Sequence, residues 1–191
     1  MRQLIAGFLV IVGLAACVQT APPVQILPEI TFVHLPQLKL DVAAIDVVNE
    51  SKASSEGRDV SLQFPTSPAK AINNWVRDRL VPAGDQGVAR VTILEATALE
   101  TKLDKATGVK GLFTTDQSER YSVTANVRID VLDRNGNVRA FSSAQTNRYT
   151  TVAEDISLLD RERAWFNLVE KLMTDFNAAM DANVKNNLPL K

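Results

Sequence analysis

Apolar residues recur along this chain with two periods, and the period changes at clear punctuation. Leu38, Leu40, Val42 and Ala44 alternate with Lys39 and Asp41, which predicts a first strand. Beyond Ala44 the apolar parity moves to Ile45 and Val47, which predicts a bulge or a local twist. Asn49–Gly57 is polar and predicts a loop, and Val60, Leu62 and Phe64 predict a short edge strand. The period then becomes helical. Ser67 is placed to cap and Pro68 to open a helix, with Ile72, Trp75, Val76 and Leu80 on one face and Pro82 and Gly84 at its end. Trp75 is read as a core anchor. Alternation returns at Ala89, Val91 and Ile93, shifting parity at Leu94 to give Ala96 and Ala98. Thr101–Ser118, with Gly108 and Gly111, predicts a long loop.

The clearest alternation runs through Tyr121, Val123, Ala125, Val127, Ile129 and Val131. Asn135-Gly136 then predicts a hairpin, because both positions tolerate positive φ. A two-residue loop there sets Val131 opposite Ala140, Ile129 opposite Ser142 and Val127 opposite Ala144. Large residues face small ones, which leaves a trough for a closely packed helix. The sequence supplies that helix next. Ser157 is placed as its N-cap, with Asp160 three residues on. Leu158, Trp165, Leu168, Val169, Leu172, Phe176, Ala179 and Met180 form its apolar stripe.

These elements predict an α+β fold: an antiparallel sheet of about four or five strands with two helices packed on one face. The expected organisation is a leader over 1–16, a proline-rich tether over 17–36 carrying Pro22, Pro23 and Pro28, one α/β sandwich domain over 37–182 and a frayed polar tail over 183–191.

The leader has its own signature. Arg2 precedes an uncharged apolar run, Leu4–Leu14, that fits the roughly 7–15 residues of a secretory signal core and falls short of the roughly 20 a membrane-spanning helix needs. Leu14-Ala15-Ala16-Cys17 follows and resembles the lipobox of bacterial lipoprotein precursors. That resemblance implies cleavage between Ala16 and Cys17 and diacylglyceryl attachment to the Cys17 sulfur. A cysteine bearing two or three acyl chains stays on a bilayer, because two chains anchor stably where one does not. Val18 stands where an aspartate would favour inner-membrane retention in the enterobacterial pattern, so the expected location is the outer membrane, facing the periplasm.

Composition narrows the chemistry. The 191 residues carry a formal net charge of −1, made more negative by loss of Arg2 with the leader, so nothing favours nucleic acid as a partner. Cys17 is the only cysteine, so once it is acylated no disulfide or thiolate site is left. His34 is the only histidine and lies near the tether, where it makes a poor member of a Ser-His-Asp triad. Gly108-Val109-Lys110-Gly111 lacks the spacing of a phosphate loop. Acidic residues are numerous, but no spacing singles out a hydrolytic pair. The expectation is a protein that is not an enzyme and holds no metal or other cofactor.

One surface invites a binding role. On the sheet face opposite the helices the pattern places Arg128, Asp130, Arg139, Phe141, Ser143 and Gln145, with Leu132 beside them. Phe141 and Leu132 are apolar residues there without evident cover. Either a further segment or a partner covers them, or the face is simply solvated. The order of lipobox, tether, strand, helix, long strand, tight hairpin and C-terminal amphipathic helix is similar to small envelope lipoproteins of Gram-negative bacteria, such as the YajG-like lipoproteins and the auxiliary lipoproteins of ABC-type lipid-transport systems. The likeness is architectural, with Leu14–Cys17 its one specific motif. It implies a membrane-anchored, non-catalytic accessory or binding subunit of an envelope assembly, with lipid transport as the candidate process. The competing expectations are a tethered hydrolase acting on peptidoglycan or glycan and a purely structural envelope protein.

Overall fold

The computed structural model describes residues 26–52, 54, 56–103 and 117–191. The lipobox, including Ala16 and Cys17, lies outside them. Among the described residues ten elements follow in order: β1 (Leu38–Leu40), β2 (Ala44–Asn49), β3 (Arg58–Asp59), a 3₁₀ turn (Ser61–Gln63), α1 (Pro68–Arg79), β4 (Leu80–Pro82), β5 (Val88–Lys102), β6 (Gln117–Leu132), β7 (Val138–Ala153) and α2 (Leu158–Asn187).

The main sheet has five strands, in the order β2-β5-β6-β7, with β3 on the same edge of β5 as β2. β5, β6 and β7 form the expected antiparallel meander, while β2 runs parallel to β5, so the sheet is mixed. Both helices rest on one face, α1 over β5 and β6, α2 over β6 and β7. This is the α+β class that the periodicity predicts.

The hairpin keeps the predicted register, with Val131 opposite Ala140, Ile129 opposite Ser142 and Val127 opposite Ala144. Its turn is wider than a two-residue loop. Gly136 N–H donates to Asp133 O at 3.1 Å, Asp133 N–H donates to Asn137 O at 2.9 Å, and Leu132 pairs with Val138. The register shift between Val131 and Leu132 absorbs the extra residue, leaving Arg139 as the bulge. Gly136 takes φ +82°, which a side chain would strain. The trough is filled as expected. Val127, Ile129, Val131, Ser142 and Ala144 are buried, and the Ser142 hydroxyl lies 3.8 Å from Met180 Sδ on α2.

The parity shift at Leu94 is a bulge between Ile93 and Glu95. The one near Ala44 is larger. The chain bends at 41–43 and changes sheets, so the single bulged strand expected there is two strands. β1 pairs in parallel with β4 in a separate two-stranded sheet, and β2 joins the main sheet. The edge strand expected over Val60, Leu62 and Phe64 is also absent. Arg58 and Asp59 pair with β5 instead, and the 3₁₀ turn exposes Leu62 while Val60 and Phe64 stay buried. There Val60 N–H donates to Ala98 O, and the Ser61 hydroxyl accepts from Ala98 N–H. The loop expected over 101–118 is trimmed at both ends by β5 and β6, and residues 104–116 lie outside the described set.

Both predicted caps form. The Ser67 hydroxyl accepts from Lys70 N–H at 3.2 Å and the Ser157 hydroxyl from Asp160 N–H at 3.1 Å. α1 ends at Arg79 and passes directly into β4, before Pro82. Trp75 is buried edge-on against Phe176, with Nε1–H donating to Asn177. Leu158 is exposed, so the stripe of α2 begins at Trp165.

Two boundaries need correction. Residues 183–191 are not a frayed tail. α2 continues to Asn187 with Val184 buried, Leu188 is buried, and Leu190 bridges to Leu40 of β1. The polar composition misleads because the two apolar positions that matter are a turn apart. The tether also ends early. Ile30 and Phe32 are buried, because the seam between α1 and α2 offers them an apolar surface and buried partners for their backbone.

Candidate partner-binding face

Alternation along β5, β6 and β7 sends one parity under the helices and the other to the opposite face, where it is exposed along β7, half-buried along β6 and buried at Thr92 of β5. That second parity forms rows across the sheet. Asp46, Arg90, Asp130 and Phe141 make one; Val48, Thr92, Arg128 and Ser143 make the next; Ala44, Val88, Leu132 and Val138 lie on the other side. The structure therefore gathers Arg128, Asp130, Leu132 and Phe141 on one surface. Arg139 lies beside them in the bulge and is exposed.

Arg128 organises this face. Its Nε lies 2.9 Å from both carboxylate oxygens of Asp130, and its guanidinium sits 4.1 Å from the centre of the Phe141 ring. The hydrogen bond to Asp130 raises the guanidinium above its ordinary value, against a smaller lowering by burial. Arg90 reaches Asp46 at 3.3 Å in the same row as Asp130. Leu132 is half-buried, whereas Phe141 is 52% exposed. Stacking on Arg128 orients the ring without hiding it, and such a contact at an exposed site is worth about 0.5–1 kcal/mol.

Sequence reasoning missed a second pair of the same kind. The Arg120 guanidinium lies 3.8 Å from the centre of the Tyr149 ring, and Tyr149 is 63% exposed. Extending the alternation by two pairs beyond Gln145 reaches Tyr149, so the signal was there. Between the two pairs the surface is built from Ser143, Gln145, Asn147, Asn126 and Thr124. Fixed aromatic rings, held guanidinium groups and amide side chains suit recognition of a polar partner surface.

The acidic groups of the helix-covered face are engaged. Glu100 is buried and paired with Arg58. Glu119 accepts from the Tyr121 hydroxyl at 2.7 Å and meets Arg161 at 3.3 Å. Burial, reinforced by Glu119, pushes the Tyr121 phenol well above its usual range. Among the described residues no group of three or more His, Cys, Asp or Glu side chains could hold a metal ion. His34 is exposed beside a groove of about 500 Å³ formed by residues 28–35 and α2. No described helix is long and apolar enough to cross a membrane.

Fold and surface together define a two-layer α+β domain with helices on one face of the sheet and an open, arginine-ordered surface on the other. No family model and no curated relative matches the sequence. Among solved structures the chain is similar to a minor lipoprotein from Acinetobacter baumannii, at 12% identity and a TM-score of 0.37 over 76% of this chain and 97% of that one. It is also similar to the PelC L103M dodecamer from Paraburkholderia phytofirmans, at 17% identity and a TM-score of 0.24 over 74% of this chain and 91% of that one. Scores this low establish no shared fold.

Proposed function

We propose that this protein is a periplasm-facing lipoprotein, held to the outer membrane through acylated Cys17, that serves as a non-catalytic binding subunit of an envelope assembly. The carrying observation is the join of a lipobox-like Leu14–Cys17 to a domain whose sheet, among the described residues, has helices on one face and none on the other. The anchor supplies location, and the open face supplies contact. Arg128 and Phe141 lie at the centre of that contact, with Asp130 and Leu132 beside them and Arg139 at its rim. Lipid transport is the process the family likeness suggests, and the partner is an envelope protein of that machinery.

Two measurements test this reading. Mass spectrometry of the mature N-terminus should find a diacylglyceryl modification on Cys17; an unmodified thiol overturns the anchor. A photo-crosslinking amino acid at Phe141, in cells carrying the full-length protein, should give one adduct of defined mass, reduced when Arg128 is changed to Glu. An adduct pattern equal to that from a label at Lys171, on the exposed side of α2, overturns the binding face.

A further inference from the structure

The outer edge of the main sheet is long and unguarded. Among the described residues β7 pairs only with β6 along its 16 residues, whereas β2 and β3 on the other edge have 6 and 2. Exposed edge strands ordinarily carry proline, lysine or an inward charge that blocks further pairing. β7 has no proline or lysine, its bulge lies at one end at Arg139, and 140–147 is uncharged. Arg148, the next charge, is held by Asp175 of α2. A groove of about 810 Å³ runs along Gln145–Tyr149 with Asp175 on its other bank, so the edge itself is accessible.

Which backbone groups of β7 point outward follows from the far side of the sheet. Ala98 N–H donates to the Ser61 hydroxyl and Ala98 O accepts from Val60 N–H, so Ala98 turns away from β6. Ala98 lies opposite Val123, and Val123 opposite Arg148. In an antiparallel ladder the N–H and C=O of one residue point the same way and reverse at the next. Val123 therefore turns toward β7, Arg148 toward β6, and Phe141, Ser143, Gln145, Asn147 and Tyr149 turn their backbone outward. Asn183 of α2 donates to one of these groups, Ser143 O, at 2.8 Å. No strand among the described residues pairs with that row. The row reads aromatic, polar, amide, polar, aromatic about Gln145. A second copy running antiparallel about a two-fold axis at Gln145 sets Phe141 opposite Tyr149, Ser143 opposite Asn147 and Gln145 opposite itself, with outward backbone groups facing at every pair. An axis at Ser143 or at Asn147 sets Gln145 against a ring instead.

The helix layer agrees with that axis. Asp175 reaches Arg148 and Asn183 reaches Ser143, so the level of Gln145 falls between Asp175 and Asn183 on α2. Ala178 and Ala182 lie in that interval, follow Asp175 at i+3 and i+7 on the same side of the helix, and are exposed. Strands paired about 4.8 Å apart bring the helices above them close together, and small side chains at the crossing let two helices approach to about 8–10 Å. We propose that β7 pairs antiparallel with β7 of a second copy about a two-fold axis at Gln145, joining two sheets into one and laying α2 against its counterpart, Ala178 against Ala182. The dimer goes beyond the partner-binding role and doubles it, because the two open faces merge into one surface with two Arg128–Phe141 pairs.

The test uses the full-length protein in membranes, oxidised with copper phenanthroline. Gln145→Cys should convert most of the chain to a disulfide-linked species of twice its mass, because facing residues of such a pair have Cα atoms about 5.5 Å apart, inside the roughly 4.4–6.8 Å that a disulfide spans. Asn147→Cys alone should give several-fold less, since the two copies of position 147 lie about 13 Å apart along the strands. Co-expressed Ser143→Cys and Asn147→Cys chains should restore the product. The parent chain, with Cys17 alone, sets the background. Ala178→Arg, at an exposed position, should abolish the Gln145→Cys product without changing the circular dichroism. A Gln145→Cys chain that stays monomeric, or equal product at 145 and 147, overturns the pairing, and product that survives Ala178→Arg overturns the helix contact. A photo-adduct from Phe141 to a second copy has twice the chain mass and is told apart from the partner adduct by it, so failure of the dimer leaves the partner-binding reading standing.

Discussion

The two faces of the β5-β6-β7 meander come from the same residues in alternate order, yet they are held by different physics. The covered face is apolar and close-packed. Its large β6 residues lie opposite small β7 residues, and α2 fills the difference with Leu172, Phe176 and Met180. The open face is kept in order by directed contacts: Arg128 to Asp130 and Phe141, Arg90 to Asp46, Arg120 to Tyr149. The first arrangement makes stability and the second makes a surface. Losing a buried methylene leaves a void, whereas losing an exposed ion pair costs little because water takes its place. A substitution that damages both faces equally would contradict this division.

The largest effect should come from Phe176→Ala, which removes the ring that Trp75 packs against and should cost about 3–5 kcal/mol in denaturant unfolding. Ala144→Trp should come next. It overfills the trough beneath α2 and should cost about 1–3 kcal/mol or more; a midpoint matching the parent would mean that α2 does not lie there. Asp78→Asn should cost about 1–3 kcal/mol by weakening the attachment of the helix-seam segment. Burial pushes the Asp78 carboxyl up, but hydrogen bonds from Arg77 and from Phe32 N–H outweigh it and the net value is depressed. A depressed carboxylate stabilises the fold at any pH above its unfolded value of about 3.9, and that contribution is lost as the pH falls through the folded value. The Asn variant should therefore lose less stability than the parent on acidification below about pH 4, measured by urea unfolding at stepped pH. The smallest effect belongs to the open face. Phe141→Ala should change stability by no more than about 0.5 kcal/mol while reducing the adduct from a crosslinking amino acid placed at exposed Ser143 on the same face. A large loss of stability would show that the ring is part of the core after all.

The alternation of β6 and β7 was strong enough to give the hairpin register, the buried set and the helix that covers it, residue by residue. The candidate face followed from the same parity, so Arg128, Asp130, Leu132 and Phe141 were legible together. Tyr149 was reachable by the same rule. What was not legible involves contacts between distant segments. Nothing near Leu38–Leu40 announces that the chain will change sheets at Asp41–Ala43 and pair β1 with residues that leave α1. Nothing in residues 29–36 shows that Asn74 and Asp78 wait to receive the backbone of Ile30 and Phe32. The tail misled for the opposite reason, because Val184 and Leu188 are two apolar positions in a polar setting. Both join the hydrophobic core, and Leu190 beyond them bridges to Leu40, a long-range pairing that local composition cannot see.

The bridge between Leu40 and Leu190 has a consequence for biogenesis. Asp41 N–H donates to Pro189 O, and Lys191 N–H donates to Lys39 O. The small sheet that contains β1 is thus completed only when residues 189–191 are in place. A nascent chain from which residues 189–191 had not yet emerged would carry β1 with one side unclosed, and a peptide fused after Lys191 would leave the domain next to Lys39.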